Sequence, residues 1–257
     1  MENEIILDFS CEKITTLPFL PQSLKRLYCY NTQITTILDL PQSLQKLDCS
    51  NTKISTIPPL PHSLEILYCY NTPIISLSSL PQSLKELSCF DTQITTIPTL
   101  PKSLKELYCF NTQITTLPVL PSSLKILRCY NTKITTIPSL PQSLEILDCS
   151  NTEIISLPSL PQLLEWLDCS NTKIISLPSL PQSLKRLYCK NCKYLYIPKK
   201  SRARRFVKKT EYNINYNYQV LKIQRVYERF KQRKFQKTLY ANSNLPKDIC
   251  YCISKMI

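Results

Sequence analysis

Apolar residues recur along most of this chain with a strict period of twenty residues. Proline occupies residues 21, 41, 61, 81, 101, 121, 141, 161 and 181, and the consensus of the units reads Pro-Gln-Ser-Leu-x-x-Leu-x-Cys-x-Asn-Thr-x-Ile-x-x-(Ile or Leu)-Pro-x-Leu. We number repeat positions from this opening proline. A partial unit precedes the nine, and Tyr194, Ile197 and Pro198 close a last half-turn. A repeat of this length without insertions indicates a solenoid of stacked units.

The apolar spacing within one unit predicts a short β-strand. Positions 7 and 9 are apolar and are flanked by variable residues at positions 6, 8 and 10, which is the period of two typical of a strand with one buried face. Successive units must then stack as parallel strands about 4.8 Å apart. The prolines at positions 18 and 1 disfavour a helix, so we expect the return side of each coil to be extended or turn-like.

The spacing Leu24-x-x-Leu27-x-Cys29-x-x-Thr32-x-Ile34 resembles a leucine-rich repeat. The twenty-residue length and the Leu-Pro-x-Leu-Pro-x-x-Leu junction are similar to the repeats of bacterial secreted effectors. The Cys-x-Asn-Thr-x-Ile variant looks like leucine-rich repeat proteins of giant DNA viruses of the mimivirus type, which suggests a viral protein. The resemblance covers about residues 5–198. It implies a curved right-handed solenoid with the parallel sheet on its concave side and a non-helical convex side.

The turn after each strand departs from the family's pattern. The family has a buried asparagine ladder at position 12, where this chain has threonine, and its asparagine stands one position earlier. The threonines are Thr32, Thr52, Thr72, Thr92, Thr112, Thr132, Thr152 and Thr172. A hydroxyl offers one donor where an amide offers two. Either the turn is built differently around threonine, or Asn31, Asn51 and their equivalents turn inward.

Cysteine fills position 9 of every unit. The nine residues are Cys29, Cys49, Cys69, Cys89, Cys109, Cys129, Cys149, Cys169 and Cys189, and we interpret them as a column of reduced thiols in the core. The strand spacing of about 4.8 Å does not suit disulfides along this column. An alternative is a zinc site formed by Cys189, Cys192, Cys250 and Cys252. The core register already explains Cys189, so we predict no metal.

Positions 6, 8 and 10 of the strands form the face that we call the concave face, where this family usually binds partners. It collects aromatic side chains instead of a uniform charge. The candidate binding residues are Tyr28, Tyr30, Tyr68, Tyr70, Phe90, Tyr108, Phe110, Arg128, Tyr130 and Trp166. Tyrosine and tryptophan often carry interface energy, and an extensive exposed apolar patch marks an interaction site. The alternative is that these side chains only stabilise the sheet through cross-strand contacts.

Composition argues against an enzyme. The chain contains no glycine, which excludes glycine-dependent phosphate loops and nucleophile elbows. It has a single histidine, His62, which falls at a turn position that we expect to be exposed. The chain therefore has too few histidines for a metal site with several histidine ligands, and only one that could serve as an imidazole base. We predict no catalytic residues and no cofactor.

Most of the charge of +14 lies beyond the repeats. Residues 199–257 hold 16 Lys or Arg and 3 Asp or Glu, a net of +13, whereas residues 1–198 hold 16 and 15, a net of +1. We therefore divide the chain into a solenoid, 1–198, and a basic tail, 199–257, with an amphipathic helix at about 219–240. The candidate tail residues are Lys199, Lys200, Arg202, Arg204, Arg205, Lys208, Lys209, Arg225, Arg229 and Arg233.

The tail admits several interpretations. Its helix could pack on the end of the solenoid, bind nucleic acid through phosphate contacts and stacking, or lie on an anionic membrane surface. Its opening basic run also matches a nuclear-localisation pattern. A calmodulin-binding IQ motif is matched at Ile223, Gln224 and Arg233 but not at Glu228 or Arg229, so calmodulin is not an expected partner.

The N-terminus lacks the basic and apolar regions of a secretory signal, and no apolar run approaches the length of a membrane span. Together with the core interpretation of the cysteines, this predicts an intracellular protein, in the host cytoplasm if it is viral, or in the nucleus. The function that we expect is non-enzymatic binding of a protein or peptide on the concave face. The alternative is association with nucleic acid or an anionic membrane through the tail.

Overall fold

A computed structural model describes residues 5–197 and 201–206, which contain one parallel sheet of ten strands. The strands are β1 Ile5–Asp8, β2 Leu24–Tyr28, β3 Lys46–Asp48, β4 Ile66–Tyr68, β5 Glu86–Ser88, β6 Glu106–Tyr108, β7 Ile126–Arg128, β8 Ile146–Asp148, β9 Trp166–Asp168 and β10 Arg186–Tyr188, followed by a 3-10 helix, Arg202–Arg205. Each strand pairs with the next in chain order. The predicted solenoid with one strand per coil is therefore confirmed.

The strands pair in the register that the period predicts. From β2 to β10, residues at the same repeat position are partners, so that Leu27 pairs with Leu47 and Leu47 with Leu67. The register shifts between Ile5 and Ile6, where β1 pairs with β2. Because every coil has twenty residues, side chains of one repeat position form a straight column across the sheet.

The core lies between the sheet and the return side of the coils. Leucines at positions 4 and 7 and cysteine at position 9 are buried in all nine coils, and isoleucine at position 14 is buried in the first eight. Residues at positions 17 and 20 are buried or half-buried against the same cluster. A single coil buries too little apolar surface to offset the entropy of ordering its residues, so the stacking of neighbours stabilises the fold.

The return sides of the coils contain no helix between β1 and β10, as the prolines predicted. Serine at position 3 connects these segments through a ladder that sequence analysis missed. Ser103 Oγ donates to the carbonyl oxygens of Gln82 and Leu84 in the preceding coil, both at 2.6 Å. Equivalent pairs of bonds start from Ser43, Ser63, Ser83, Ser123 and Ser143. Because a hydroxyl has one hydrogen, each serine makes a bifurcated bond that is shared between two backbone acceptors of the preceding coil.

Threonine and asparagine both build the turn after the strand. Thr112 is buried, and its Oγ1 donates to the carbonyl oxygen of Cys109 at 2.7 Å, an arrangement found from Thr32 to Thr172. Residue 11 of each repeat has a positive φ between 50° and 56°, a region in which asparagine and aspartate are enriched. Its side chain points outward and forms a second ladder, with Asn131 Nδ2 donating to Asn111 Oδ1 at 2.7 Å. The asparagines therefore do not turn inward.

The chain after the last coil contacts the core. Ala203, in the 3-10 helix, is 1% exposed and belongs to the same buried cluster as Leu195 and Ile197. Phe206 is partly buried against that cluster. Ser201 caps the helix by accepting a hydrogen bond from the backbone N–H of Ala203. Residues just beyond the predicted boundary at 198 thus cover part of the terminal coil.

Candidate functional site

All ten aromatic and basic residues predicted for the concave face lie at positions 6, 8 or 10 of the coils that contain β2 to β9, and all ten are half-buried. The sheet register places them on neighbouring strands in three parallel columns. Four of the rings form a continuous stack, and most of the others contact a charged side chain. Their role in binding stays a prediction, and the geometry below shows what this surface offers.

The centre of the concave face is a stack of four aromatic rings at position 10, which we call the ring column: Tyr70, Phe90, Phe110 and Tyr130. Neighbouring centroids are 4.3, 4.2 and 4.3 Å apart, and the ring planes lie within 11° of parallel. This spacing is slightly shorter than the strand separation of about 4.8 Å, so the rings are in van der Waals contact. The column ends where Ser50 and Ser150 occupy position 10.

Two tyrosines at position 8 hold carboxylates at position 6. Tyr68 Oη donates to Glu86 Oε1 at 2.8 Å, and Tyr108 Oη donates to Glu106 Oε2 at 2.7 Å. Burial and these hydrogen bonds raise the pKa of both tyrosines. Burial also raises the pKa of Glu86, and the negative charge of Glu106 adds to the shift, whereas the bond from Tyr68 opposes it. Sequence analysis did not single out either glutamate.

Cations on this face contact aromatic rings. Lys46 Nζ lies 5.2 Å from the Tyr28 centroid and 4.9 Å from that of Tyr68. The Arg128 guanidinium carbon is 5.7 Å from the Trp166 centroid, and Trp166 packs edge-on against Tyr188 at 5.9 Å. The Nε atom of Arg128 is buried without a hydrogen-bond partner. These contacts lie on both sides of the ring column along the sheet.

Small and acidic residues of the concave face are more buried than the sequence suggested. Asp148 is 8% exposed, and its Oδ1 accepts a bond of 2.8 Å from Ser150 Oγ. Asp48 and Ser50 repeat this arrangement. Burial raises the pKa of both aspartates, although the bonds from serine oppose the shift. The Asp-x-Ser spacing at positions 8 and 10 is the sequence pattern from which this hydrogen bond could have been predicted.

The cysteine column forms as predicted, and all eleven cysteines of the described residues are thiols rather than disulfides. Burial raises the pKa of Cys89 to about 12. Cys192 differs because it stands at position 12, in place of threonine. Hydrogen bonding with Cys169 and then Thr172 lowers the pKa of Cys192 to about 7, although burial opposes the shift. Its Sγ lies 3.1 Å from the carbonyl oxygen of Cys169.

No three His, Cys, Asp or Glu side chains within residues 5–197 and 201–206 are grouped so that they could hold a metal ion. Of the four cysteines considered for zinc, Cys250 and Cys252 lie outside these ranges. His62 is exposed, as predicted. The described part of the chain contains no helix with the length and apolar character that a membrane span requires.

The predicted tail helix at about 219–240 lies outside the described residues. The same holds for Lys199, Lys200, Lys208, Lys209, Arg225, Arg229 and Arg233. Of the candidate tail residues, Arg202, Arg204 and Arg205 fall in the 3-10 helix described above. Binding of nucleic acid or a membrane through the tail therefore stays a prediction.

Comparison with known families agrees with the repeat pattern and the parallel sheet. Residues 42–82 and 82–122 each match the family described as Leucine Rich repeats (2 copies). The chain is built of leucine-rich repeats. No curated protein sequence matches it. These repeats account for the regular core columns and for the short strand in each coil.

Among solved structures, the leucine-rich repeats are similar to two bacterial proteins. YopM from Yersinia enterocolitica WA-314 shares 32% identity with a TM-score of 0.69, over 71% of this chain and 43% of YopM. The functional domain of InlJ from Listeria monocytogenes, whose title notes a cysteine ladder, shares 26% identity with a TM-score of 0.71, over 76% of this chain and 45% of that chain. This chain thus spans less than half the length of either structure. The predicted resemblance to bacterial effector repeats is confirmed, whereas that to giant-virus proteins stays a prediction.

A more distant likeness extends to plants. The ectodomain of the membrane receptor kinase GASSHO1/SCHENGEN3 from Arabidopsis thaliana shares 20% identity with a TM-score of 0.53, over 72% of this chain and 26% of that one. At this identity the likeness shows the fold alone. The leucine-rich repeat solenoid is therefore common to proteins of very different sequence.

Proposed function

We propose that the chain is a non-enzymatic interaction module that binds a protein or a peptide on its concave face. The ring column carries this proposal. Four stacked aromatic side chains remain half-buried on one face of the free chain, with the candidate tyrosines Tyr28, Tyr68 and Tyr108 in the next column. A partner that covers these rings would remove apolar surface from water at rigid side chains that lose little entropy on binding.

Rigid stacking favours a binding role over a purely stabilising one. Cross-strand contacts stabilise any sheet, but the buried leucine, cysteine and isoleucine columns already supply the core of each coil. Serine occupies position 10 in three other coils, at Ser50, Ser150 and Ser170, and the sheet continues through all of them. The strands therefore form without an aromatic residue at this position.

The proposal includes no catalytic step. The tyrosine hydroxyls of the concave face donate to carboxylates, and their pKa values are raised, which is opposite to the shift that activates a nucleophile or base. Burial likewise raises the pKa of thiols in the cysteine column. These groups are better suited to hold a rigid surface than to react.

The comparisons support a protein ligand through the fold. The plant receptor ectodomain that shares this fold was solved in complex with Casparian strip integrity factor 2. From this relative we take only that a surface built of leucine-rich repeats can recognise a ligand. We also retain the intracellular location expected from the sequence, because a reducing compartment keeps a column of thiols reduced.

Affinity capture with three forms of the full-length chain tests the proposal. These are the unaltered chain, a Phe90→Ser/Phe110→Ser variant and a Val119→Ser control. Serine occurs naturally at position 10 in Ser50 and at position 19 in Ser139, so both substitutions suit the fold. Val119 is 83% exposed on the return side.

Nuclease-treated and untreated cell extracts are passed over each form, and the bound proteins are identified by mass spectrometry. We expect a discrete protein that the unaltered chain and the control retain, that nuclease does not remove, and that the Phe90→Ser/Phe110→Ser variant loses. Equal retention by all three forms, or release by nuclease, would contradict binding on the concave face.

A further inference from the structure

The centre of the concave face carries two adjacent carboxylates. Glu86 and Glu106 stand at position 6 of β5 and β6 and are register partners. Each accepts a hydrogen bond from a tyrosine hydroxyl, from Tyr68 and Tyr108 respectively. These bonds fix the carboxylates beside each other, so that two like charges face the same space above the sheet.

The two glutamates differ from those at the neighbouring position 5. Glu65, Glu145 and Glu165 each pair with a lysine of an adjacent coil, at 2.7, 2.9 and 2.7 Å. Within the described part of the chain, no lysine or arginine nitrogen forms a salt bridge with Glu86 or Glu106. The negative charge of this pair is therefore not neutralised by a direct ion pair there.

The part of the concave face from β5 to β9 carries more acids than bases, whereas Lys46 on β3 acts on Glu86 through its charge and lowers the pKa of that carboxyl. Positions 6, 8 and 10 of β5 to β9 hold four carboxylates, Glu86, Glu106, Asp148 and Asp168, against one cation, Arg128, a surplus of three negative charges. The whole chain has a net charge of +14. The local surplus of carboxylates favours a cation over an anion at this part of the concave face.

The ring column lies beside the carboxylates at a fixed separation. Positions 6 and 10 of one coil are four residues apart, which corresponds to about 13 Å for an extended backbone at about 3.3 Å per residue. An extended segment that runs along the strands can therefore place one side chain over Phe90 and Phe110 and another, about four residues away, between Glu86 and Glu106.

We infer that the concave face binds a basic segment of a protein, which places a lysine or arginine between Glu86 and Glu106 and an apolar side chain on the ring column. This inference rests on the proposed function and specifies the chemistry of the partner. A cation between the glutamates relieves their mutual repulsion and makes charge-assisted hydrogen bonds. An acidic segment or a nucleic-acid backbone would place further negative charge there.

Selection from a displayed library of random peptides on the full-length chain tests the inference without a known partner. The pool is selected in parallel on the unaltered chain, on Glu86→Gln/Glu106→Gln and on Glu65→Gln/Glu145→Gln. Glutamine keeps the size of the side chain and an acceptor for the tyrosine hydroxyl. The second pair is the matched control, because it removes two carboxylates at position 5 of the coils that contain β4 and β8, each of which is paired with a lysine.

We expect peptides in which a lysine or arginine recurs at a fixed spacing from an aromatic or large aliphatic residue. For such a peptide, the Glu86→Gln/Glu106→Gln variant should raise the Kd by more than about tenfold. The Glu65→Gln/Glu145→Gln control should change it by less than about threefold, as is typical of exposed ion pairs. Added salt should weaken binding to the unaltered chain more than binding to the Glu86→Gln/Glu106→Gln variant.

The outcomes separate this inference from the proposed function. Selected peptides that are acidic or uncharged, or whose affinity does not depend on Glu86 and Glu106, would overturn the basic-segment inference. If those peptides still lose affinity to the Phe90→Ser/Phe110→Ser variant, binding on the concave face stands. Failure to select any peptide that depends on the ring column would overturn both.

Discussion

At the scale of single residues, Leu163 interrupts the serine ladder. It stands at position 3, where a serine would donate to the carbonyl oxygens of the preceding coil, and it is 57% exposed. We predict that Leu163→Ser raises the free energy of unfolding by about 1 kcal/mol, because it adds hydrogen bonds equivalent to those of Ser143. Urea denaturation measures the change.

Leu163→Ala is the control for that variant, since it removes the exposed leucine without adding a hydroxyl. The midpoint of denaturation should rise for Leu163→Ser relative to Leu163→Ala. Equal midpoints would show that the position-3 hydroxyl does not stabilise the solenoid.

Thiol reactivity should distinguish the cysteines of the described residues. Cys11 is exposed. The pKa of Cys192 is lowered to about 7, so at neutral pH the thiolate fraction of Cys192 is larger than that of an ordinary cysteine. Burial raises the pKa of Cys89 to about 12, and the other thiols of the column are also buried. We predict that iodoacetamide modifies Cys11 and Cys192 in the native protein well before Cys29 to Cys189, which peptide mapping by mass spectrometry reveals. Uniform labelling along the column would contradict this packing.

The core residues could be predicted from the sequence, whereas the polar ladders could not. Leu27, Cys29 and Ile34 follow from spacing alone, because an apolar side chain needs only to be on the inner face. The choice between Thr32 and Asn31 for the inner turn depends on backbone angles and donor directions, which a spacing does not give. Structure assigns the threonine to the buried carbonyl and the asparagine to the positive φ.

At the scale of the repeated element, residue 11 combines an unusual backbone conformation with a side-chain ladder. Asn111 has a φ of 52°, donates to Asp91 and accepts from Asn131. We predict that Asn111→Ala lowers the free energy of unfolding by about 1–2 kcal/mol, because alanine is disfavoured in the left-handed region. Asn111→Gly should be less destabilising, since glycine adopts this region readily.

Urea denaturation of the two variants separates the backbone contribution from the ladder. The difference between Asn111→Gly and the unaltered chain reports the lost side-chain bonds. A glycine variant as unstable as the alanine variant would contradict the importance of the positive φ at this turn.

Strand position followed from the alternation of apolar residues, and the regular strands proved to be short. From β3 to β10 each covers positions 6 to 8, although the backbone N–H at position 9 still donates to the neighbouring coil, as Cys29 does to Asp48 at 2.8 Å. The prediction that the return side is not helical is also confirmed. Proline explains the non-helical return side, because it excludes a helix and leaves few donors for a second sheet.

At the scale of the whole molecule, buried acids on the concave face should make stability depend on pH. Burial raises the pKa of Asp48 and Asp148 above the ordinary value of 3.8. Between that value and the raised native values the folded chain holds more protons at these sites than the unfolded chain. Their contribution to the free energy of unfolding therefore falls as the pH rises through this interval.

The Asp48→Asn/Asp148→Asn variant tests this dependence, because asparagine cannot titrate there. Thermal or urea denaturation across the acidic range should show a smaller loss of stability with rising pH for the variant than for the unaltered chain. Parallel curves would contradict the assignment of buried aspartates with raised pKa values to this face.

The aromatic composition of the concave face could be predicted from the sequence, but its energetics could not. Periodicity placed Tyr70, Phe90, Phe110 and Tyr130 in one column, because every coil has the same length. The hydrogen bonds from Tyr68 to Glu86 and from Tyr108 to Glu106 could not be predicted, because they depend on the directions of the tyrosine hydroxyls. Such contacts between different columns depend on rotamers, which the repeat pattern does not specify.

The most direct test of binding on the concave face is the affinity of the captured protein for the Phe90→Ser/Phe110→Ser variant, measured by titration calorimetry beside the unaltered chain and Val119→Ser. Central aromatic side chains of an interface often contribute about 2 kcal/mol or more each. We predict that the double variant raises the Kd by at least about thirtyfold, while Val119→Ser leaves it unchanged. Equal affinities for all three forms would contradict the account, because the ring column would then lie outside the interface.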